Sequence, residues 1–250
     1  MSVTINGTTG ITTPDVITDD LTVDTNTLHV DATNNRVGIG TSTPNQTLTV
    51  NGTIESLKDD VNEGGHLLLR AQSGYSYQYA VDNHLDKFRI IREDDSTSAN
   101  GTVFFEFDSS GRAIMPYQPA FMAVRTTSQS TTPFVVSGYT SITNRGNNFN
   151  TSTGIFTAPV SGVYQFTFAC IGAGNLNHSN DIYGYLNGAR NQASLAIRPT
   201  STTNSYASMA SNTVLVNLSA NDTFGIYVEN GGGLYGDANS WIRFSGRLIG

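Results

Sequence analysis

The run from Asn144 to Phe168, NRGNNFNTSTGIFTAPVSGVYQFTF, constrains this chain more than any other. Asn144 stands five residues before Phe149, and Phe149 stands seven before Phe156. Gly162 follows six later, and then Tyr164, Phe166 and Phe168 alternate strictly. A half-buried strand needs this pattern, because side chains two apart share a face. Tyr164, Phe166, Phe168 and Cys170 are predicted to point into a core, with Val163, Gln165, Thr167 and Ala169 turned the other way. The segment 158–162, APVSG, reads as a turn, since proline cannot donate to a ladder and glycine tolerates the bend.

This spacing resembles the signature of the C1q-like family, the jelly-roll trimers related to tumour necrosis factor. Asn144, Phe149, Phe156, Gly162, Tyr164, Phe166 and Phe168 carry the match. The pattern departs at its start, where the family has an aromatic six residues before Asn144. Here Gly138 holds that place, with Tyr139 beside it. Asn187-Gly188 is similar to the family's hairpin turn. Residues 214–228 resemble its pair of strands around a glycine-aspartate turn, with Asn221 in place of the glycine. Residues 244–249 resemble its closing strand. The likeness spans about 119–250 and implies an all-β fold, a C-terminal C1q-like jelly-roll sandwich in a homotrimer.

Three segments are expected: 1–52 as virion-attachment and shaft repeats, 53–115 as a small antiparallel β shaft module, and 116–250 as the head. In the first, Leu21-Thr22-Val23-Asp24, Leu28-His29-Val30-Asp31 and Leu48-Thr49-Val50-Asn51 share an apolar-x-apolar-acid/amide unit. Each is too short and one-sided to bury its own apolar residues, so such units gain stability when identical copies wrap a common axis. Ile54, Leu57 and Val61 stand at helical spacing, which suits a short helix or a polar linker. Strands are predicted at 66–70, 75–81, 88–92 and 102–107, with a turn at Ser109-Ser110-Gly111. Residues 35–52, 87–111 and 115–121 resemble phage tail-fibre sequences, the last two those of marine phages, and 115–121 would link shaft to head.

Charged residues make up 13% of the 250, and the formal net charge is −7. An acidic surface disfavours nucleic acid, whose phosphates need clustered Lys and Arg. No apolar stretch is long enough to span a bilayer, so no membrane insertion is expected. The N-terminus shows no basic segment followed by an apolar one, so no secretory signal is visible. The single Cys170 rules out a disulfide framework within one chain. These features fit a virion component assembled in a host cytoplasm.

No catalytic constellation emerges, and the chain is not expected to be an enzyme. His29, His66, His84 and His178 are dispersed, without the spacing of a zinc site. Gly172-Ala173-Gly174 lacks the third glycine of a dinucleotide fingerprint. A binding surface follows instead from strand order. Successive connections between antiparallel strands alternate between two poles. With strands at 163–171, 181–186, 189–197, 209–218, 223–228 and 240–249, the tight turns at 187–188 and 219–222 fall on one pole. The long connections at 172–180, 198–208 and 229–239 fall on the other. By the family resemblance, both domain ends lie at the tight-turn pole.

The long connections carry Asn175, Asn177, His178, Arg198, Asn204, Tyr206, Tyr235 and Asp237 as candidate receptor-binding residues. Amides bond to ring hydroxyls and aromatic faces cover sugar rings, so a host-surface glycan, or a protein, is the expected partner. Tyr183 and Tyr185 share one face of their strand and are candidates for the trimer interface. The resemblance adds calcium near the apex as the one candidate cofactor, with Asp181 and Asp237 the nearest carboxylates. The expected function is a structural virion protein: a trimeric phage tail fibre that docks to other tail or capsid proteins through its N-terminal segment. The rivals are a capsid-surface fibre or decoration protein, a polysaccharide depolymerase and a bacterial adhesin.

Overall fold

The computed structural model describes residues 20–23, 27–57, 63–70, 77–93, 101–173, 179–200 and 209–250. Among these there is no helix, and the chain divides into two compact units, Met1–Arg112 and Ala113–Gly250.

In the first unit, β1 (Asp20–Val23), β2 (Leu28–Asp31), β3 (Arg36–Ile39) and β4 (Leu48–Val50) form one sheet in that order. Each of the three repeated sequence units becomes a strand: β1, β2 and β4. The first three strands pair antiparallel, and β4 joins β3 in parallel. Asp31 sets the turn between β2 and β3. Its carboxylate accepts hydrogen bonds from the Asn34 side-chain amide at 2.8 Å and backbone N–H at 3.0 Å. These bonds hold the Asp31 carboxyl below its ordinary pKa.

The helical spacing of 54–63 does not produce a helix over its described part. Residues 53–57 carry no regular structure, and Ile54 and Leu57 stand largely exposed. Helix nucleation is costly, and a run this short cannot recover the cost without a partner face. Residues 58–62 lie outside the described residues. The strands β5 (Glu63–Leu69), β6 (Gln78–His84), β7 (Lys87–Glu93) and β8 (Thr102–Phe107) then form an antiparallel meander in sequence order. Leu85 and Asp86 make the tight β6–β7 turn, both with positive φ, as a two-residue hairpin requires.

The second unit holds β9 (Ala113–Ile114), β10 (Ala120–Arg125), β11 (Phe134–Val135), β12 (Thr140–Arg145), β13 (Phe149–Asn150), β14 (Ile155–Thr157), β15 (Gly162–Gly172), β16 (Asp181–Leu186), β17 (Ala189–Ile197), β18 (Met209–Leu218), β19 (Thr223–Asn230), β20 (Leu234–Tyr235) and β21 (Ile242–Leu248). One sheet runs β12-β10-β21-β15-β18, with β20 attached to β15. The other runs β13-β14-β19-β16-β17, with β11 attached to β19. A single apolar core joins the inner faces of both.

Tyr164, Phe166, Phe168 and Cys170 are all fully buried in that core, as the alternation predicts. Rings bridge the two sheets directly. Phe121 of β10 stacks on Phe149 of β13 at 4.3 Å, and Phe166 of β15 on Phe224 of β19 at 4.3 Å. Phe244 of β21 meets Phe121 edge-on at 5.0 Å. Such pairs contribute roughly 0.5–1.5 kcal/mol each beyond the area they bury. Gly246 lies under this cluster, where an added Cβ would come within 2.5 Å of Phe166 and 2.6 Å of Phe121. The stack closes because that residue has no side chain.

The five-residue step from Asn144 to Phe149 also has a physical basis. The Asn144 amide donates to the Phe149 carbonyl at 2.8 Å and accepts from the Phe149 N–H at 3.2 Å. One side chain thus closes the loop between β12 and β13. Tyr139 supplies the aromatic that Gly138 lacks. It is buried against Phe149 in a T-shaped contact at 5.5 Å. Gly138 has φ +67°, a backbone conformation in which an aromatic side chain would be strained.

Candidate functional site

Backbone pairing sorts the connections of the second unit into two poles. At one, the short turns interlock with the domain's own ends. Asn187 and Gly188 both have positive φ, the geometry of a tight asparagine-glycine hairpin. The Asn187 side chain donates to the Asp222 carboxylate at 2.8 Å and accepts from the Thr223 N–H at 2.8 Å. Asn221 takes φ +72° in its turn, a conformation asparagine tolerates better than most residues. Ala158 and the 219–222 turn exchange backbone hydrogen bonds, and the Tyr164 hydroxyl donates to the Val160 carbonyl at 2.7 Å. Leu248 N–H reaches the Pro119 carbonyl at 3.1 Å, and Val163 N–H reaches Gly250. Both domain ends therefore sit at this pole.

The long connections meet at the other pole. Ser179 and Thr200 form an isolated bridge, as do Gln129 and Leu234. Asn180 is the hub. It is fully buried, its side-chain Oδ1 accepts from Gly233 N–H at 2.9 Å, and its backbone N–H donates to the Pro199 carbonyl at 3.2 Å. One residue thereby ties the connections after β15, β17 and β19 together. Ser128 adds a fourth segment, accepting from Gly236 N–H at 3.1 Å. Neither Asn180 nor the 126–133 segment is singled out by the sequence reading. The polar run Thr126-Thr127-Ser128-Gln129-Ser130-Thr131-Thr132-Pro133 is the signal that marks the second as a connection. Asn180 carries no such signal.

Of the candidate binding residues, Arg198, Tyr235 and Asp237 sit at this pole. The exposed Arg198 guanidinium pairs with the Asp181 carboxylate, which is nearly buried. That bond raises the Arg198 pKa further above its ordinary value, with a smaller contribution from Tyr183. The Tyr235 hydroxyl donates to Asp237 at 3.2 Å. Asp237 also accepts from the Asn239 N–H at 2.8 Å and from the Asn239 amide at 3.1 Å. These bonds, led by the Asn239 N–H and joined by Trp241, lower the Asp237 pKa. Asn175, Asn177, His178, Asn204 and Tyr206 lie outside the described residues.

Tyr183 and Tyr185 project from β16 on the face away from the core, opposite the buried Ile182. Both are half-buried. Tyr185 stacks on Tyr227 with ring centroids 5.6 Å apart. The Arg190 guanidinium lies 4.9 Å from the Tyr183 ring centre and pairs with Glu229. This patch combines flat aromatic area with an ion pair, a composition suited to contact with another surface.

Cys170 is sealed in the core, where burial pushes its thiol up to about 12, so it carries no thiolate near neutrality. Among the described residues no three His, Cys, Asp or Glu side chains gather to hold a metal ion. Asp181 is engaged by Arg198, and Asp237 by its own loop.

No curated protein matches the chain. Among solved structures, the globular domain of zebrafish complement 1qA protein is 21% identical, with 53% of this chain and 98% of that chain covered at a TM-score of 0.40. The crystal structure of murine APRIL at pH 5.0 is 10% identical, with 53% of this chain and 99% of that chain covered at a TM-score of 0.41. Residues 120–249, just over half of the sequence, match the family described as C1q domain, and the chain belongs to that family.

Proposed function

We propose that this chain is a structural virion protein, a homotrimeric phage fibre whose C1q domain binds a host-surface glycan through the connections at the pole away from its ends. The observation that carries the reading is the segregation of connections. Short turns and both domain ends share one pole, while the long polar connections are stitched together at the other. A stem attached at the first pole leaves the second free for a receptor. Binding residues commonly sit on such connections over a rigid scaffold. C1q and TNF-like domains are typically non-enzymatic binding modules and commonly form trimers. Tyr183 and Tyr185 are the residues proposed for contacts between heads. The fibre part of the reading rests on the sequence likeness at 35–52, 87–111 and 115–121.

The mechanism is multivalent adhesion. Three weak tips on one stem engage together, so avidity exceeds the affinity of one site by about 10²–10⁴-fold. The test is binding of the purified full chain to a glycan array and to bacterial envelope fractions. Arg198→Ala and Tyr235→Ala are each expected to weaken binding at least about tenfold, a loss of roughly 1.4 kcal/mol. Val160→Ala, at the opposite pole, is expected to leave it unchanged. Binding that ignores the first two variants overturns the reading. Release of reducing sugar from the envelope would favour the depolymerase instead, and labelling on the capsid would favour the decoration protein.

A further inference from the structure

The sheet β5-β6-β7-β8 buries one face and leaves a second, apolar face open. Register puts Leu67 and Leu69 of β5, Tyr79 of β6, Phe88 and Ile90 of β7, and Phe107 of β8 on one face. These six are between 37% and 62% exposed. The opposite face is the covered one: it holds Ala80 and Ile91, 0% and 2% exposed, and carries an ion pair beside them. Asp82 and Arg89 are 3% and 6% exposed, joined by two hydrogen bonds, and the Lys87–Glu106 pair lies on the same side at 3.2 Å. An ion pair is thus buried while a preformed aromatic cluster stands open. Within that cluster Phe105 and Phe107 meet edge-on at 4.9 Å, and Phe88 lies 6.2 Å from Phe107.

We propose that this face packs against the same face of further copies of this chain, forming a dry core between sheets. The inference rests on the homotrimer in the reading above, and it assigns that trimer a second contact outside the C1q domain. Four observations favour a copy over another occupant. The six side chains expose on the order of 600 Å², at the upper limit of patches on monomers and close to the roughly 800 Å² per partner of a standard interface. The face needs no complementary charge. Its one described cation, Arg92, lies over the rings of Tyr77 and Phe104 at 4.2 and 5.6 Å. Apolar exposure continues in the rest of the unit, at Ile39, Leu48, Ile54 and Leu57. Identical chains side by side bring matching apolar content at every one of these levels. Finally, C1q domains commonly form trimers, which would tether copies of this unit at high effective concentration.

The test is thiol protection in the full chain. The native Cys170 is fully buried, so a cysteine introduced by Ile90→Cys reports alone. Labelling by a maleimide is measured beside the exposed-turn control Ser110→Cys, with the mass determined by light scattering. A trimer that labels position 90 at least about tenfold more slowly than position 110 is the expected result. Dilution to monomers is expected to abolish the difference, as is adding Phe88→Lys to Ile90→Cys. A trimer that labels both positions equally overturns this inference and leaves the C1q trimer standing. A monomeric chain overturns both. Protection that survives dilution to monomers, or the Phe88→Lys change, shows that the chain covers the face itself and also overturns the proposal.

Discussion

In residues 113–250, Phe121, Phe166 and Phe244 are sealed between two sheets, whereas in residues 1–112, Phe88 and Phe107 stand on the open face of one sheet. Local strand quality does not separate the two regions. Both have alternating strands, tight two-residue turns and asparagine or aspartate side chains that close loops. The difference is the second layer. A sheet is apolar on at least one face and becomes stable when that face meets another element. The C1q domain supplies the opposing sheet from its own chain. The first unit leaves six large apolar side chains without one, so its stability should depend on what it meets.

The sharpest way to break this comparison is to remove one ring from each region. Phe166→Ala should cost about 3–5 kcal/mol, as for other buried aromatics. The single Trp241 lies in the same domain, so its fluorescence during denaturant unfolding reads the loss directly. Phe88→Ala, measured on the dilute chain, should change stability by less than about 1 kcal/mol, because an exposed ring loses little on truncation. Equal costs at both positions would mean the two faces are equally buried, and the comparison would fail.

The next effect concerns the ion pair buried in the first unit. Asp82→Ala leaves the Arg89 guanidinium buried without its carboxylate, which should cost about 3 kcal/mol and lower the melting transition followed by circular dichroism. An unchanged transition would show that Arg89 relaxes into water, and that this face is less closed than the other.

The smallest effect probes the outer pole of the C1q domain. Asp237 has a lowered pKa in the folded protein, so its contribution is present above the ordinary aspartate range and is lost as pH falls through the lowered value. Protonation should release Asn239, Trp241 and Tyr235 together, visible as an acid step in Trp241 fluorescence. Asp237→Asn should remove that step without unfolding the domain. A step that persists in the variant would assign it to another group.

Much of the C1q domain was legible because its signals are local. The alternation of Tyr164, Phe166, Phe168 and Cys170 announces a one-sided strand, and Asn187-Gly188 announces its hairpin. The strands at 181–186, 189–197 and 209–218 fall where the pattern puts them. The spacing of Ile54, Leu57 and Val61 left both a short helix and a polar linker open, and residues 58–62 lie outside the described residues. Three apolar residues at helical intervals are a weak cue in a run this short, and residues 53–57 stay irregular. In the candidate site, Arg198, Tyr235 and Asp237 were identifiable as members of long connections, but their partners were not. Asp181, Asn239 and Trp241 act through geometry that no spacing announces.

The sequence by itself determined which residues alternate, where the chain turns and which strands share an inward face, because these depend on the backbone period and on turn chemistry. Only the tertiary structure decided that buried Asn180 ties three connections into one pole, and that the meander buries an ion pair beside Ala80 and Ile91 while its rings stand open. Both outcomes depend on which distant segments end up adjacent. Adjacency of that kind is set by packing layers over the whole domain, where a residue's environment comes from strands far away in the chain.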